Sequence, residues 1–357
     1  MPTTRTADHA PVLTRRQLNR SLLARQWLLE RRVATAEETI EHLVAMQAQE
    51  PPSPHIGLWT RLEDFDPAEL DGLHTDRTVV RGWLMRHTLH VAAADDYVAL
   101  RGLFLPVGRR ALLGQFRRDL EGVDLDELCD RARALVEAEP LGLAAIGRAL
   151  AERWPGPDPR VLGFAAGYLL PMVQIPPRGL WGDRRRPRLT TSDAFLGLGP
   201  EADANPEPLA FRYLAAFGPA TPADFRAWSG MTGAAELFAR IAPRLRRFSD
   251  EQGRELFDLP GTPLPDPETP APVRFLPVFD NAILAHDDRA RILADGYPPR
   301  IADEPTLLVD GFAVATWRLV DGRVEVRPFA PIDPRHDAEI AAEGERLARF
   351  LATAAGG

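Results

Sequence analysis

The chain has 357 residues, 45% of them hydrophobic, and a net charge of −8; this suits two or three packed modules and argues against a sheath of nonspecific nucleic-acid affinity. Its single cysteine, Cys129, excludes a disulfide framework, a cysteine-rich zinc site and an iron–sulfur cluster, and its eight histidines show no metal-ligand spacing. No apolar run reaches the length of a membrane span and the first ten residues lack a signal-peptide core, so a soluble, cytoplasmic protein without metal or cofactor is expected.

Thr14 and Gln17 form a capping-box pair, and Leu18, Leu22 and Leu29 share one face of a helix predicted to end near Arg32. This stretch is basic, with six arginines between Thr14 and Arg32 against one acid, Glu30. A second box, Thr35 and Glu38, starts a helix whose apolar stripe runs Ile40, Leu43, Val44, and the next position on that face is Gln47. Pro51 and Pro52 forbid further helix, which places Gln47-Ala48-Gln49 at or just past the helix end. In an extended segment residues two apart share a face, so both carboxamides would meet in one pocket. On spacing alone, glutamines there equally serve to cap free carbonyls.

Asp66, Pro67 and Glu69 start a short helix through about Leu73. Thr78 to Val91 then reads as a strand pair or wing, with Gly82 as a candidate kink and with Arg86 and His90 on one side of a strand by alternation. Three helices and a hairpin make a winged helix-turn-helix, and the theme recurs. Helical segments at 125–137, 143–154 and 160–172 lead to a hairpin over 173–189, after an acid-rich stretch, 119–139, expected to face water. Helices at 209–217, from Thr221 and at 232–241 lead to a wing over 245–259. Six prolines from Pro260 to Pro272 give a stiff linker; Asp310-Gly311 and Asp321-Gly322 then mark hairpins in a small β unit, closed by a helix bearing Ile340, Leu347, Phe350 and Leu351. The expected fold class is α+β, mainly helical. It comprises three tandem winged-helix modules (12–105, 106–200 and 201–260), a linker (261–272), and an antiparallel β unit with a C-terminal helix (273–357).

The run Met46-Gln47-Ala48-Gln49-Glu50-Pro51-Pro52, its sequel Gly57-Leu58-Trp59, and Trp83 to His90 resemble the azinomycin-resistance DNA glycosylase (AlkZ-like) family, with further similarity at 176–181 and 275–286. The resemblance implies tandem winged-helix modules and a catalytic Gln-aliphatic-Gln motif, which maps onto Gln47 and Gln49. It also implies monofunctional N-glycosylase action on N7-alkylpurines in double-stranded DNA, including bulky or crosslinked ones, by a protein of the bacterial nucleoid expected to be a monomer. His87 departs from the family pattern, where a smaller residue is expected. Glutamine has no useful pKa, but it can position a water or face a developing oxocarbenium charge. Ordinary glycosidic cleavage needs an acid to protonate the leaving oxygen. An N7-alkylated guanine already carries positive charge and departs neutral, so two glutamines suit it.

DNA contacts are expected from Arg184, Arg185, Arg186 and Arg188 in the second wing, and from Arg86 and His90. Each has a plainer reading: arginine loops aid solubility, and His90 suits a half-buried, hydrogen-bonded histidine. Trp181 either wedges between bases or packs the root of the wing, and Glu50 is either a base or a solvated turn residue. Asp280, Asn281, His286 and Asp287 are expected to stabilise loops. No phosphate-binding glycine loop or Ser-His-Asp arrangement stands out. A non-catalytic winged-helix regulator is the alternative function, and a protein-interaction scaffold a third.

Overall fold

Caps and left-handed residues set the helix ends in this chain, and one of those ends decides where the glutamines lie. The structure, a computed structural model, describes residues 10–200 and 204–355. After β1 (Val12–Leu13), α1 (Arg15–Arg25) starts on Thr14, whose side chain accepts from the Gln17 N–H. It ends well before Arg32 because Trp27 takes a left-handed φ of 55°. That turn satisfies the last carbonyls, Trp27 N to Ala24 O (3.2 Å) and Leu28 N to Leu23 O (2.8 Å), and the indole stacks on His42.

Thr35 and Glu38 form the full capping box of α2 (Ala36–His42). Val44 then adopts φ 70°, a strained value for a β-branched residue, and the chain turns into β2 (Met46–Gln47). Gln47 therefore lies past the helix end on a strand, not on the helical face of Ile40. Pro51 and Pro52 do not end helical structure. Pro52 caps α3 (Ser53–Arg61) and Pro54 sits in its first turn, where a missing N–H leaves no bond unmade. Next come α4 (Pro67–Thr75), β3 (Val79–Trp83) and β4 (Leu89–Ala93). Between the strands Arg86 and His87 have φ of 54° and 56°, so Arg86 occupies a turn rather than the strand that holds His90.

The unanticipated α5 (Ala94–Phe116) runs through residues 105 and 106, where a module boundary is expected. Beyond it come α6 (Leu125–Ala138), α7 (Leu143–Ala151), α8 (Pro159–Leu169), β5 (Met172–Gln174), β6 (Leu189–Thr191) and α9 (Ser192–Leu196). Then follow α10 (Pro206–Phe217), α11 (Pro222–Ser229), α12 (Ala234–Ile241), β7 (Arg246–Asp250) and β8 (Glu255–Asp258). The last part holds β9 (Arg274–Leu276), α13 (Asn281–Leu284), β10 (Thr306–Val309), β11 (Phe312–Val320), β12 (Arg323–Pro328) and α14 (Asp337–Ala352). The fold is α+β. Three times over, three helices lead into an antiparallel strand pair: α2–α4 into β3–β4, α6–α8 into β5–β6, and α10–α12 into β7–β8.

Long-range pairing then ties these units together. The first two hairpins join through β3 and β5 into one antiparallel sheet of order β2-β4-β3-β5-β6, with Arg81 opposite Gln174. Gly82 is no kink: it pairs with both His90 and Val173, and its missing Cβ leaves room for the Tyr97 ring. β1 pairs with β7, and α1 packs on α10 through Arg25 Nη1 to Leu214 O (2.7 Å) and Gln26 Nε2 to Ala216 O (2.7 Å), so the N-terminal helix serves the third unit. The proline-rich segment lies against α1, with Arg20 Nε donating to Thr269 O at 2.7 Å.

In the last part both Asp-Gly turns have positive φ at each residue, as two-residue hairpins require. The resulting sheet, β12-β11-β10-β9, shares a core with the first unit: Phe275, Leu307 and Trp317 pack with Ile40, Met46 and Leu58. Across this seam Arg61 pairs with Asp280 through two bonds of 2.9 and 2.8 Å, both side chains being buried. Asp280→Ala is expected to cost about 3–5 kcal/mol in urea unfolding, because it strands a buried guanidinium. A loss under about 1 kcal/mol would mean that solvent reaches Arg61.

Candidate active site

Gln47 ends the edge strand of the five-stranded sheet, and Ala48 and Gln49 follow it into a bend, a stretch held from several sides. β2 pairs with β4 in the register Met46–Val91 and Gln47–His90, and Ala48 N donates to Leu89 O at 2.7 Å. Gln47 is 7% exposed, and its Oε1 accepts from Arg86 Nη2 at 2.5 Å. Gln49 is exposed, with Oε1 accepting from Leu89 N at 3.3 Å. Neither Nε2 donates a hydrogen bond among the described residues. Each carboxamide thus has its oxygen oriented by a fixed donor, yet keeps one lone pair and two N–H donors for a water or a ligand.

Arg86 also reaches the third unit, donating through Nη1 to Trp228 O. Burial, with the charge of Arg289, pushes its pKa down to about 10, which leaves it a cation at neutral pH. His90 is fully buried, its Nδ1 2.9 Å from Thr88 O, and burial, with the charge of Arg86, pushes it down to about 3. It is neutral in the working pH range. The structure thus brings Arg86 and His90 to Gln47 by a turn and by strand register, not by shared strand alternation. His87, the departure from the family pattern, packs between Trp83 and Tyr168 in the seam with the second unit.

Two groups that hold the triplet escaped the sequence reading. Arg81, 2% exposed on β3, donates to Ala48 O through Nε (3.1 Å) and Nη2 (2.6 Å). Its signal was a charge inside an otherwise apolar strand, Val79 to Trp83. Asn281, expected to serve its own loop, instead donates to Ala45 O at 2.7 Å, across 236 residues of sequence. Asp280 does cap α13, and His286 and Asp287 bond to the third unit through Phe217 O and Asp224. Glu50 is exposed, its carbonyl closing the turn to Ser53 N at 3.0 Å. Beside it opens a cleft of about 580 Å³ walled by Pro52, Ile56, Phe279 and Trp317, with Glu304 at its rim.

The arginine cluster lies apart, on the loop between β5 and β6. Arg184, Arg185, Arg186 and Arg188 are all exposed. Arg185 pairs with Asp183 and Arg188 with Glu139, whereas Arg184 and Arg186 enter no ion pair among the described residues. Trp181 packs the root of this loop: its ring lies 4.9 Å from both His55 and Phe350, and its Nε1 donates to Thr353 Oγ1 at 2.9 Å. Among the described residues no group of three or more His, Cys, Asp or Glu could hold a metal, and no helix is long and apolar enough to cross a membrane.

The fold is shared with a DNA repair protein: the solved structure of Streptomyces sahachiroi DNA glycosylase AlkZ superposes with a TM-score of 0.71 over 97% of each chain, at 21% identity. The two chains therefore share one architecture. The family model "DNA glycosylase AlkZ-like" matches residues 40–350, and the chain belongs to that family, whose members are hydrolases acting on DNA. An interstrand DNA cross-link repair glycosylase from Streptomyces sahachiroi is 23% identical over 361 residues, 92% of this chain and 94% of the relative.

Proposed function

We propose that the protein is a monofunctional DNA glycosylase that excises cationic N7-alkylpurines from double-stranded DNA, with Gln47 and Gln49 as its catalytic pair. The observation that carries this is the triplet itself: one carboxamide at the end of a clamped edge strand and one in the bend after it, oriented by Arg86 and by the Leu89 N–H. A fixed carboxamide dipole can hold a water near the sugar C1′ and face the oxocarbenium ion without reorganising during the reaction. The cation Arg86 beside Gln47 does not oppose this chemistry strongly. The substrate is already cationic, so reaction moves a positive charge from base to sugar instead of creating one, and Arg86 senses only the difference in distance.

The three helix–hairpin units are read as winged-helix modules, with the β unit packed against the first, and the protein as a monomer. The cleft beside Glu50 is lined by apolar groups and by three acids, Glu50, Asp303 and Glu304, against one arginine, Arg300, which already pairs with Asp303; this net acidic lining suits a cationic base carrying a bulky substituent. Crosslinks between strands fall within this reading, as the name of the Streptomyces relative indicates for that protein. Incubation with duplex DNA containing N7-methylguanine is expected to release the free base. Tight binding without release would turn the reading to a non-catalytic regulator.

Neutralising Arg184, Arg185 and Arg186 together is expected to weaken binding to all duplexes alike. Arg185 already has a carboxylate partner, so the log–log salt slope should fall by about 2, close to 0.9 for each of the two freely available cations. Isotherms at two salt concentrations decide it, and an unchanged slope would show that this loop does not touch DNA.

A further inference from the structure

Arg81 is a buried cation with no ion-pair partner among the described residues, an arrangement proteins seldom keep without use. Its donors go to neutral acceptors: Nε and Nη2 to Ala48 O, Nη2 also to Gln49 O at 3.5 Å, and Nη1 to the Gln174 carboxamide oxygen. Gln174 is itself buried, directly opposite Arg81 where the first two hairpins join. Gly179, on the loop that carries the arginine cluster, lies beside the Arg81 side chain: a Cβ placed there would sit 3.5 Å from Arg81 Cδ. A carbonyl bonded twice by a planar guanidinium can neither tilt nor slide. The peptide so fixed, Ala48–Gln49, is one of the two that join the glutamines.

We infer that Arg81, oriented by Gln174, is a positioning residue for the reaction: it sets the direction of both carboxamides through the Ala48 peptide. The inference rests on the catalytic reading of Gln47 and Gln49. Gln174 belongs to the second unit, so the site is completed across the seam between two units. Burial, with the charge of Arg178, pushes Arg81 down to about 10, so it remains charged at neutral pH.

The experiment measures single-turnover excision of N7-methylguanine at saturating enzyme, with duplex affinity and thermal melting measured alongside. Arg81→Met is expected to slow excision about 10–100-fold with affinity within about threefold, since a displacement near 1 Å costs that much in rate. Arg81→Lys should recover part of the loss. Gln174→Leu, which removes one acceptor and keeps the guanidinium, should slow excision about three- to tenfold. In a Gln47→Ala background Arg81→Met should cost much less than in the wild type, because it acts through the same group, whereas a merely structural role would add in full. If Arg81→Met does not fold, Gln174→Leu and Arg81→Lys decide. Wild-type rates in these variants beside a slow Gln47→Ala overturn the inference and leave the glutamine assignment intact. A wild-type rate in Gln47→Ala overturns both.

Discussion

Gln47→Ala is expected to lower single-turnover base excision by about 10²–10³-fold, and Gln49→Ala by a similar factor, the loss typical of removing one preorganised dipole from a reacting centre. Their effects on stability should differ. Gln47 is the buried acceptor of Arg86 Nη2, so truncation leaves a half-buried cationic donor unpaired and should cost about 1–2 kcal/mol in unfolding. Gln49 is exposed, water can replace it on the Leu89 N–H, and its variant should melt within about 0.5 kcal/mol of wild type. Gln47→Glu tests the electrostatics. It keeps the shape, supplies Arg86 with a carboxylate and so should fold, but it would shift the water-holding geometry by pairing with the guanidinium. Measured together, excision and unfolding separate chemistry from folding. Wild-type excision in both alanine variants would remove the triplet from the mechanism.

The second large effect is an absence of product: abasic sites should accumulate without strand cleavage. Bifunctional glycosylases need an amine that attacks the sugar C1′ and forms a Schiff base, and lysine is the usual supplier. This sequence contains no lysine. The other source of an amine is a chain terminus, and residues 1–9 lie outside the described residues. Borohydride should therefore trap no covalent adduct with DNA carrying the lesion or an abasic site, and a gel run without alkali or heat should show intact strands. A robust adduct, or breaks as abundant as abasic sites, would sink the assignment and redirect attention to the N-terminus.

Much of the fold could be read where one short stretch carries the whole signal. The capping box of Thr35 with Glu38 opens the helix it predicts, Thr221 starts another, and both Asp-Gly pairs turn hairpins. The helices missed or overextended are those whose signal conflicts with context. Pro51 and Pro52 read as breakers yet Pro52 stands at the start of α3, and α1 and α2 stop early because Trp27 and Val44 accept left-handed conformations that local sterics disfavour. Asn281 shows the same limit at the site. Its amide was assigned to its own loop, but tertiary packing delivers it to Ala45.

The sequence by itself determined the α+β class, the repeated helix–hairpin order, and the position of Gln47-Ala48-Gln49 past a helix end, because caps, turns and breakers act within about four residues of chain. It also determined that the chain offers no lysine amine for lyase chemistry, since composition needs no geometry. Only the tertiary structure decided that Gln47 ends an edge strand, that Arg86 binds its oxygen from a left-handed turn, and that Arg81 and Gln174 meet across two units. Those outcomes depend on which strands pair and which cations end up buried. Such choices are made by the summed burial of distant residues, and no single stretch of sequence records them.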